Sequence, residues 1–451
     1  MEKKTTLFQL TWPILIEAFF FMLLGSVDIF MLSQYSDNSV GAVGVVNQIV
    51  GMSGLVFAII TSGTSIICAQ YIGAGKTSKE KNKLIAAALQ VNALFGIVMS
   101  IIMFVFSRQL LDFMNLDSAL MEDGMAYMTI VGGFVFVQSI ENTFSAVLRS
   151  HGKTKICMVI TLIMNGLNVI MNYVLIFGLG PIPSLGVKGA AISTTLSKCV
   201  ALVALGIIMF KQIAPDFKVT LLVKINKLEI GKILKLGIPS AGETISYNVA
   251  RLFITRILTA IGTAAVIANS YISTITNYNY LFAVAIAQGT AILIGWKIGA
   301  GKKEEAYSLC LKSFWKALAV SMGITLVCAV FGKYILQFFT DDTTIIQLGM
   351  TVFIIDFINE AGRCANLVII NALRAAGDVR FPVFAGVFSM WGVGLLLSYV
   401  FGIVLDMGFP GVWLAMGLDE VVRGVMMYIR WKRKRWKKYS QVEDTPKLVE
   451  E

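Results

Sequence analysis

Residues 12–31 read WPILIEAFFFMLLGSVDIFM. Twenty helical residues rise about 30 Å, the thickness of bilayer hydrocarbon, and in this stretch only Glu17 and Asp28 carry charge. Runs of the same kind recur along all 451 residues, at approximately 11–32, 45–71, 84–106, 125–147, 156–179, 188–211, 233–258, 264–296, 308–332, 347–372, 382–405 and 411–430. The composition agrees with lipid as the solvent: 57% of residues are hydrophobic, 14% are charged and the mean hydropathy is +0.76. The expected fold is an all-α membrane protein with twelve transmembrane helices.

The basic residues test that count, because cytoplasmic loops are enriched in Lys and Arg. With the N-terminus inside, 29 of the 38 Lys and Arg residues fall in inner segments and 3 (Arg108, Lys188 and Lys333) in outer loops, while the others lie within helices. Both termini are therefore expected in the cytoplasm. The net charge of +11 raises a nucleic-acid partner, but the charges are spread over inner loops and gathered in the tail RWKRKRWKK, Arg430–Lys438, so none is expected. With Trp431 and Trp436 interleaved, the tail is expected to rest on anionic membrane lipids. No obligatory protein partner is implied.

The six cysteines show no C-x-x-C pair, and the chain has one histidine, His151. That excludes a disulfide framework, an imidazole metal site or a catalytic triad as organising features. The first apolar run contains Glu17 and Asp28 and lacks an A-x-A site, so it is expected to be a retained helix. No organic cofactor is expected.

IGAGK occurs at 72–76 and again at 298–302, an offset of 226 that also carries Pro13 onto Pro239 and Glu17 onto Glu243. LRSHGK (148–153) meets LRAAGD (373–378) at 225, and Gly186 and Gly189 meet Gly408 and Gly411 at 222. A near-constant offset through successive landmarks is the mark of duplication. The expected domains are an N-terminal six-helix lobe, 1–215, a cytoplasmic linker, 216–232, a C-terminal six-helix lobe, 233–430, and a basic tail, 431–451. Six helices per half make the lobes parallel repeats, pseudo-symmetric about a membrane normal, an arrangement that suits rocking around a central cavity.

These residues resemble the multidrug and toxic compound extrusion family over nearly the whole chain. The resemblance is carried by the first helix, IGAGK, LRSHGK, LNVIMNYVLIFG (167–178), GVKGAAIST (186–194), LGIPSAGE (236–243) and LRAAGD, in that order. It implies a secondary antiporter in the plasma (inner) membrane that exports amphipathic, often cationic organic compounds in exchange for protons or sodium. Independently, no G-x-x-x-x-G-K-[ST] phosphate loop is present, which leaves an ion gradient as the energy source.

Ionisable groups inside a bilayer cost about 2.5–3.5 kcal/mol each, so each is a functional candidate. Asp28 has no basic residue within two turns on its own helix, and Asn168, Asn172 and Thr194 fall at a matching depth on helices 5 and 6. One carboxylate among amide and hydroxyl oxygens suits a proton or a sodium ion, so Asp28 is also the candidate metal ligand should sodium be the coupling ion. The resemblance assigns coupling to the aspartate of this motif; where the family often has a second aspartate on helix 5, this chain has Asn172.

Glu17 lies eleven residues before Asp28, on the same helix face. Glu17 and its repeat partner Glu243 are cavity candidates, or partners for amides freed by Pro13 and Pro239. Asp356, Glu360 and Arg363 form a stripe on helix 10 in which Glu360 and Arg363 can neutralise one another, and Asp419, Glu420 and Arg423 form a similar cluster on helix 12. Asp356 and Glu360 are further cavity candidates. Tyr271, Tyr278, Tyr280 and Phe282 on helix 8 offer either cation–π contacts to a substrate or a packing face. Glu141, Lys198, Arg251 and Arg256 are embedded as well, without an assigned role.

Two other readings remain. A flippase for lipid-linked precursors shares a two-lobed design, though with fourteen helices; an integral-membrane enzyme has little chemistry to draw on here. Loop 2–3 lacks the G-x-x-x-D-R-x-G-R-R of major-facilitator transporters.

Overall fold

The computed structural model describes residues 5–442. Lys3 and Lys4, counted above for topology, and the tail from 443 onward lie outside the described residues. The helices are α1 (Leu7–Ser33), α2 (Asp37–Gly73), α3 (Ser78–Val105), α4 (Ser118–Gly132 with Val135–Ser150), α5 (Thr154–Phe177), α6 (Gly186–Ile213), α7 (Lys227–Ile261), α8 (Thr263–Gly299), α9 (Lys303–Gln337), α10 (Thr343–Ala375), α11 (Arg380–Val404) and α12 (Gly408–Lys432). Among the described residues there is no β-strand. The fold is the expected twelve-helix membrane architecture.

Nine of these helices are individually long and apolar enough to span a bilayer, and the two pieces of α4, bent by 41°, make a tenth. The two that fall short are α7, with Glu243, Arg251 and Arg256 along its length, and α12, with Asp419, Glu420 and Arg423. Their charges lower their hydropathy, and their length keeps them spanning. The break in α4 follows a π turn at Met128–Gly132, and the Phe136 amide beyond it donates to the Ser100 hydroxyl at 3.0 Å. A freed backbone amide inside lipid needs such an acceptor.

The described chain divides into two compact units. One comprises Ile16–Cys68 and Lys76–Ile238; the other holds the chain up to Leu15, Ala69–Gly75 and Pro239 onward. In the first unit Met31, Val46, Phe57, Met103, Tyr127 and Ile176 belong to one buried apolar cluster.

The repeated IGAGK has a geometric reason. In the second unit, a Cβ on Gly73 would lie 2.0 Å from the Trp296 carbonyl oxygen, and one on Gly299 would lie 2.0 Å from that of Gln70. The two copies of the motif thus press the ends of α2 and α8 together, backbone to backbone. The second glycine of each copy, Gly75 and Gly301, has φ of 63° and 73° and turns the chain out of its helix through the left-handed region. Gln70 completes this contact, donating to the Ala375 carbonyl at 2.7 Å and accepting from the Gln441 amide at 2.7 Å.

The tail departs from the expectation for its tryptophans. Trp431 and Trp436 are fully buried and stacked 4.2 Å apart inside the second unit, and Tyr307 stacks on Trp431. Basic residues around them are drawn back to the protein: Lys434 pairs with Glu304 at 2.7 Å, Lys437 pairs with the same carboxylate, and Arg430 meets Asp378 at 2.8 Å. Stacking two indoles in a protein interior removes more apolar surface from water than laying them at a headgroup boundary.

Candidate functional site

In the first unit the polar residues of α1, α5 and α6 converge. Asn168 and Asn172 are one turn apart on α5, so the Asn172 Nδ2 reaches the Asn168 Oδ1 at 3.1 Å. The same Nδ2 donates to Asp28 Oδ1 at 2.6 Å. Asn168 Nδ2 turns toward α6, to Ser193 Oγ at 3.3 Å and Thr194 Oγ1 at 3.4 Å, and Ser193 returns a hydrogen bond to the Asn168 carbonyl at 2.9 Å. Gly189 makes this approach possible, because a Cβ there would sit 2.3 Å from the Leu175 carbonyl oxygen. The structure therefore brings Asp28, Asn168, Asn172 and Thr194 into one hydrogen-bonded chain.

Three neighbours were not placed at this site by the sequence: Ser193 and Tyr127 carried no signal, and Lys198 was embedded without a role. Ser193 belongs to the chain itself. Tyr127 on α4 lies within reach of Thr194 and Asn47. Lys198, one turn beyond Thr194, donates to Gln138 Oε1 at 3.0 Å and lies within electrostatic reach of both Asp28 and Glu141. The four-residue step from Thr194 to Lys198 was the available signal; the partners on α4 had none. Asp28 has no basic neighbour on its own helix, yet α6 supplies one.

Glu17 and Glu243 receive equivalent partners. Arg149 donates to Glu17 at 2.8 Å, joined by Thr161 at 3.2 Å, and Arg374 donates to Glu243 at 2.6 Å. These are the arginines of LRSHGK and LRAAGD. Each acid is thus held by a guanidinium and not by the amides that the preceding proline frees.

In the second unit the stripe on α10 is buried. Asp356, 2% exposed, accepts from Asn359 at 2.8 Å and Trp413 at 3.4 Å. Glu360 is fully buried, pairs with Arg363 and accepts from Ser321 at 2.6 Å; Asn279 and Thr325 extend that network. On α12, Asp419 pairs with Arg423 and accepts from Ser389 at 2.6 Å, while Glu420 accepts from Asn366 at 2.9 Å. Tyr271 packs on Phe339 with ring centres 5.5 Å apart, and Tyr278 is exposed.

Two helices of this unit carry polar stripes that are exposed at membrane depth: Thr244, Asn248, Arg251, Thr255 and Thr259 on α7, and Ser270, Thr274 and Asn277 on α8. The hydroxyls in these stripes bond carbonyls of their own helices, so it is the charge of Arg251 that is too polar for hydrocarbon and marks a water-facing side on α7.

The description "MatE" of a protein-family model fits residues 13–174 and again residues 239–400. Both matches begin at the helix prolines, Pro13 and Pro239. This chain belongs to the MATE family of transporters. The uncharacterized transporter YisQ of Bacillus subtilis is 41% identical to this MATE protein, over 96% of the chain and 95% of its own length. A probable multidrug resistance protein, NorM of Thermotoga maritima, is 25% identical over 97% of the chain and 94% of its own length. Among solved structures, a MATE transporter in a bent conformation superposes with a TM-score of 0.87 at 19% identity, covering 96% of both chains. An outward-facing multidrug resistance MATE transporter gives 0.84 at 19% identity, covering 97% and 96%. The fold is that of the MATE transporters.

Proposed function

We propose that this MATE transporter exports amphipathic organic compounds, including cations, in exchange for protons, and that Asp28 is the proton-carrying group. The observation that carries the reading is that Asp28 is held by the Asn172 amide at 2.6 Å and by no ion pair among the described residues, whereas Glu17 on the same helix is closed by Arg149. A dehydrated sodium ion needs a cage of oxygens. Here an amide N–H already faces the carboxylate, the second acid of the resemblance is an amide, and a lysine adds positive charge. A proton needs only the carboxylate itself.

Protonation turns the Asp28 carboxyl from acceptor to donor. The Asn172 Oδ1, buried and without a hydrogen-bond partner among the described residues, is then the acceptor that a turned amide presents to it. Proton binding thereby reorders the α1–α5–α6 chain, and antiport follows where that rearrangement lowers substrate affinity, a coupling that is reciprocal between the two ligands. No covalent chemistry on the substrate is part of this reading. The names of the NorM relatives favour drug export over lipid flipping. The 29-to-3 distribution of basic residues supports a plasma-membrane protein with both termini inside.

Ethidium efflux from proteoliposomes separates the two ions. A pH gradient at equal sodium on both sides is expected to drive uphill efflux, and a sodium gradient at equal pH is not. Efflux driven by sodium alone would overturn the proton assignment.

A further inference from the structure

Residues 217–228 join α6 to the first turn of α7 and belong to the first unit. The segment is built onto the fold. Phe217 packs on Phe210 with ring centres 5.2 Å apart, and Val219–Leu222 form one 3-10 turn. On α3, Gln90 Nε2 lies 2.9–3.1 Å from the carbonyl oxygens of Leu221, Leu222 and Lys224. One side-chain amide thereby fixes the backbone, and with it the direction of the side chains. Val219, Val223, Ile225 and Leu228 are left outside, each 68–82% exposed.

Neighbouring helices set the level of this patch. Gln90 stands one turn before Leu94, where the exposed apolar surface of α3 begins, and the exposed apolar surface of α6 ends at Ile207, one turn before the exposed Lys211. The segment therefore lies at the edge of the hydrocarbon, where a bilayer presents its headgroups. Its charge is one-sided. From Lys211 to Lys235 there are six lysines and two acids, Asp216 and Glu229, and Lys232 closes Glu229 at 3.0 Å. Lys218, Lys224 and Lys227 are exposed and make no ion pair among the described residues, whereas Lys434 and Lys437 of the tail are neutralised by Glu304. A single exposed apolar side chain is ordinary. Four within twelve residues, interleaved with three unpaired lysines at headgroup level, are the complement of acyl chains lying under anionic phosphates.

We propose that the linker segment 217–228 is an interfacial anchor for anionic lipid, with Val219, Val223, Ile225 and Leu228 at the acyl boundary and Lys218, Lys224 and Lys227 on the phosphates. The lipid-binding role that the sequence suggested for the basic tail thus falls to the linker. This segment is the covalent joint between the two repeats, so anionic lipid holds that joint at the bilayer surface. The anchor is independent of the coupling ion and of the substrate.

Amide hydrogen exchange, read by mass spectrometry on the full-length protein in nanodiscs, tests this without any substitution. Exchange across 217–228 is expected to be slower in phosphatidylglycerol than in phosphatidylcholine by about fivefold per lysine, on the order of a hundredfold for the three. High salt should shrink the difference. Exchange across 430–438, whose basic residues include those already paired within the protein, should differ little between the two lipids. Replacing all three lysines, as Lys218→Gln with Lys224→Gln and Lys227→Gln, should abolish the lipid difference at 217–228. Equal exchange of the wild-type segment in both lipids would overturn the proposal whether or not the variant folds, as would an equal slowing of 430–438 or a lipid difference that survives in the triple variant. Slowing that follows protein concentration in lipid-free detergent, with no difference between the lipids, would assign the patch to a second copy of the chain and overturn the anchor equally.

Discussion

Glu17 and Glu243 each sit one turn beyond a helix proline, and each carboxylate ends on an arginine from the end of the fourth helix of its repeat. The offsets of 226 and 225 made the two acids equivalent and the two arginines equivalent. What stayed hidden was the contact itself, across 132 positions in one unit and 131 in the other. Asp28 shows the same limit: its depth relative to Asn168 and Asn172 was legible from helix counting, whereas Lys198 entered only when α6 packed against α5. Arg149→Ala should lower the thermal stability of the detergent-solubilised protein by about 1–2 kcal/mol, a value reduced from that of a fully buried pair because Arg149 is partly exposed. Glu17→Gln combined with Arg149→Gln should recover part of that loss. Strictly additive losses in a melting-temperature cycle would separate the two residues.

At the scale of elements, most helices were legible because about twenty apolar residues in a row leave little alternative in a bilayer. α7 and α12 were read as spans in spite of their charges, and the structure shows how those charges are accommodated: Glu243, Asp419 and Arg423 find ionic partners, while Arg251 lies on an exposed polar stripe. The bend in α4 was not legible, since its determinant is a hydroxyl on α3 that accepts one freed amide. Nor was the return of the tail, whose two tryptophans read equally well as membrane anchors until their stacking was seen. IGAGK was recognised as a repeat mark, and its physical meaning is the closeness of α2 and α8. Gly299→Val places a side chain against the Gln70 carbonyl oxygen, an overlap that only backbone movement relieves, and should cost about 1–3 kcal/mol of stability. Gly301→Ala, set at a left-handed φ in open space, should cost less, about 1 kcal/mol. Equal melting temperatures for wild type and Gly299→Val would contradict the close contact.

For the molecule as a whole, one helical design is used twice and given two different chemistries. The first unit holds a single acid in a chain of amides and hydroxyls with a lysine beside it. The second holds its acids in ion pairs and hydrogen bonds and leaves Arg251 on an exposed face. The duplication was legible in the near-constant offset; the division of labour was not, because it depends on which charges meet. On this account the first unit supplies coupling. The central claim is that Asp28 carries the coupling proton, and uphill ethidium efflux by Asp28→Asn in proteoliposomes under an imposed pH gradient tests it most directly. The account predicts a variant that inserts and folds but does not move ethidium against its concentration gradient. Wild-type uphill efflux with an unchanged dependence on the pH gradient would contradict it.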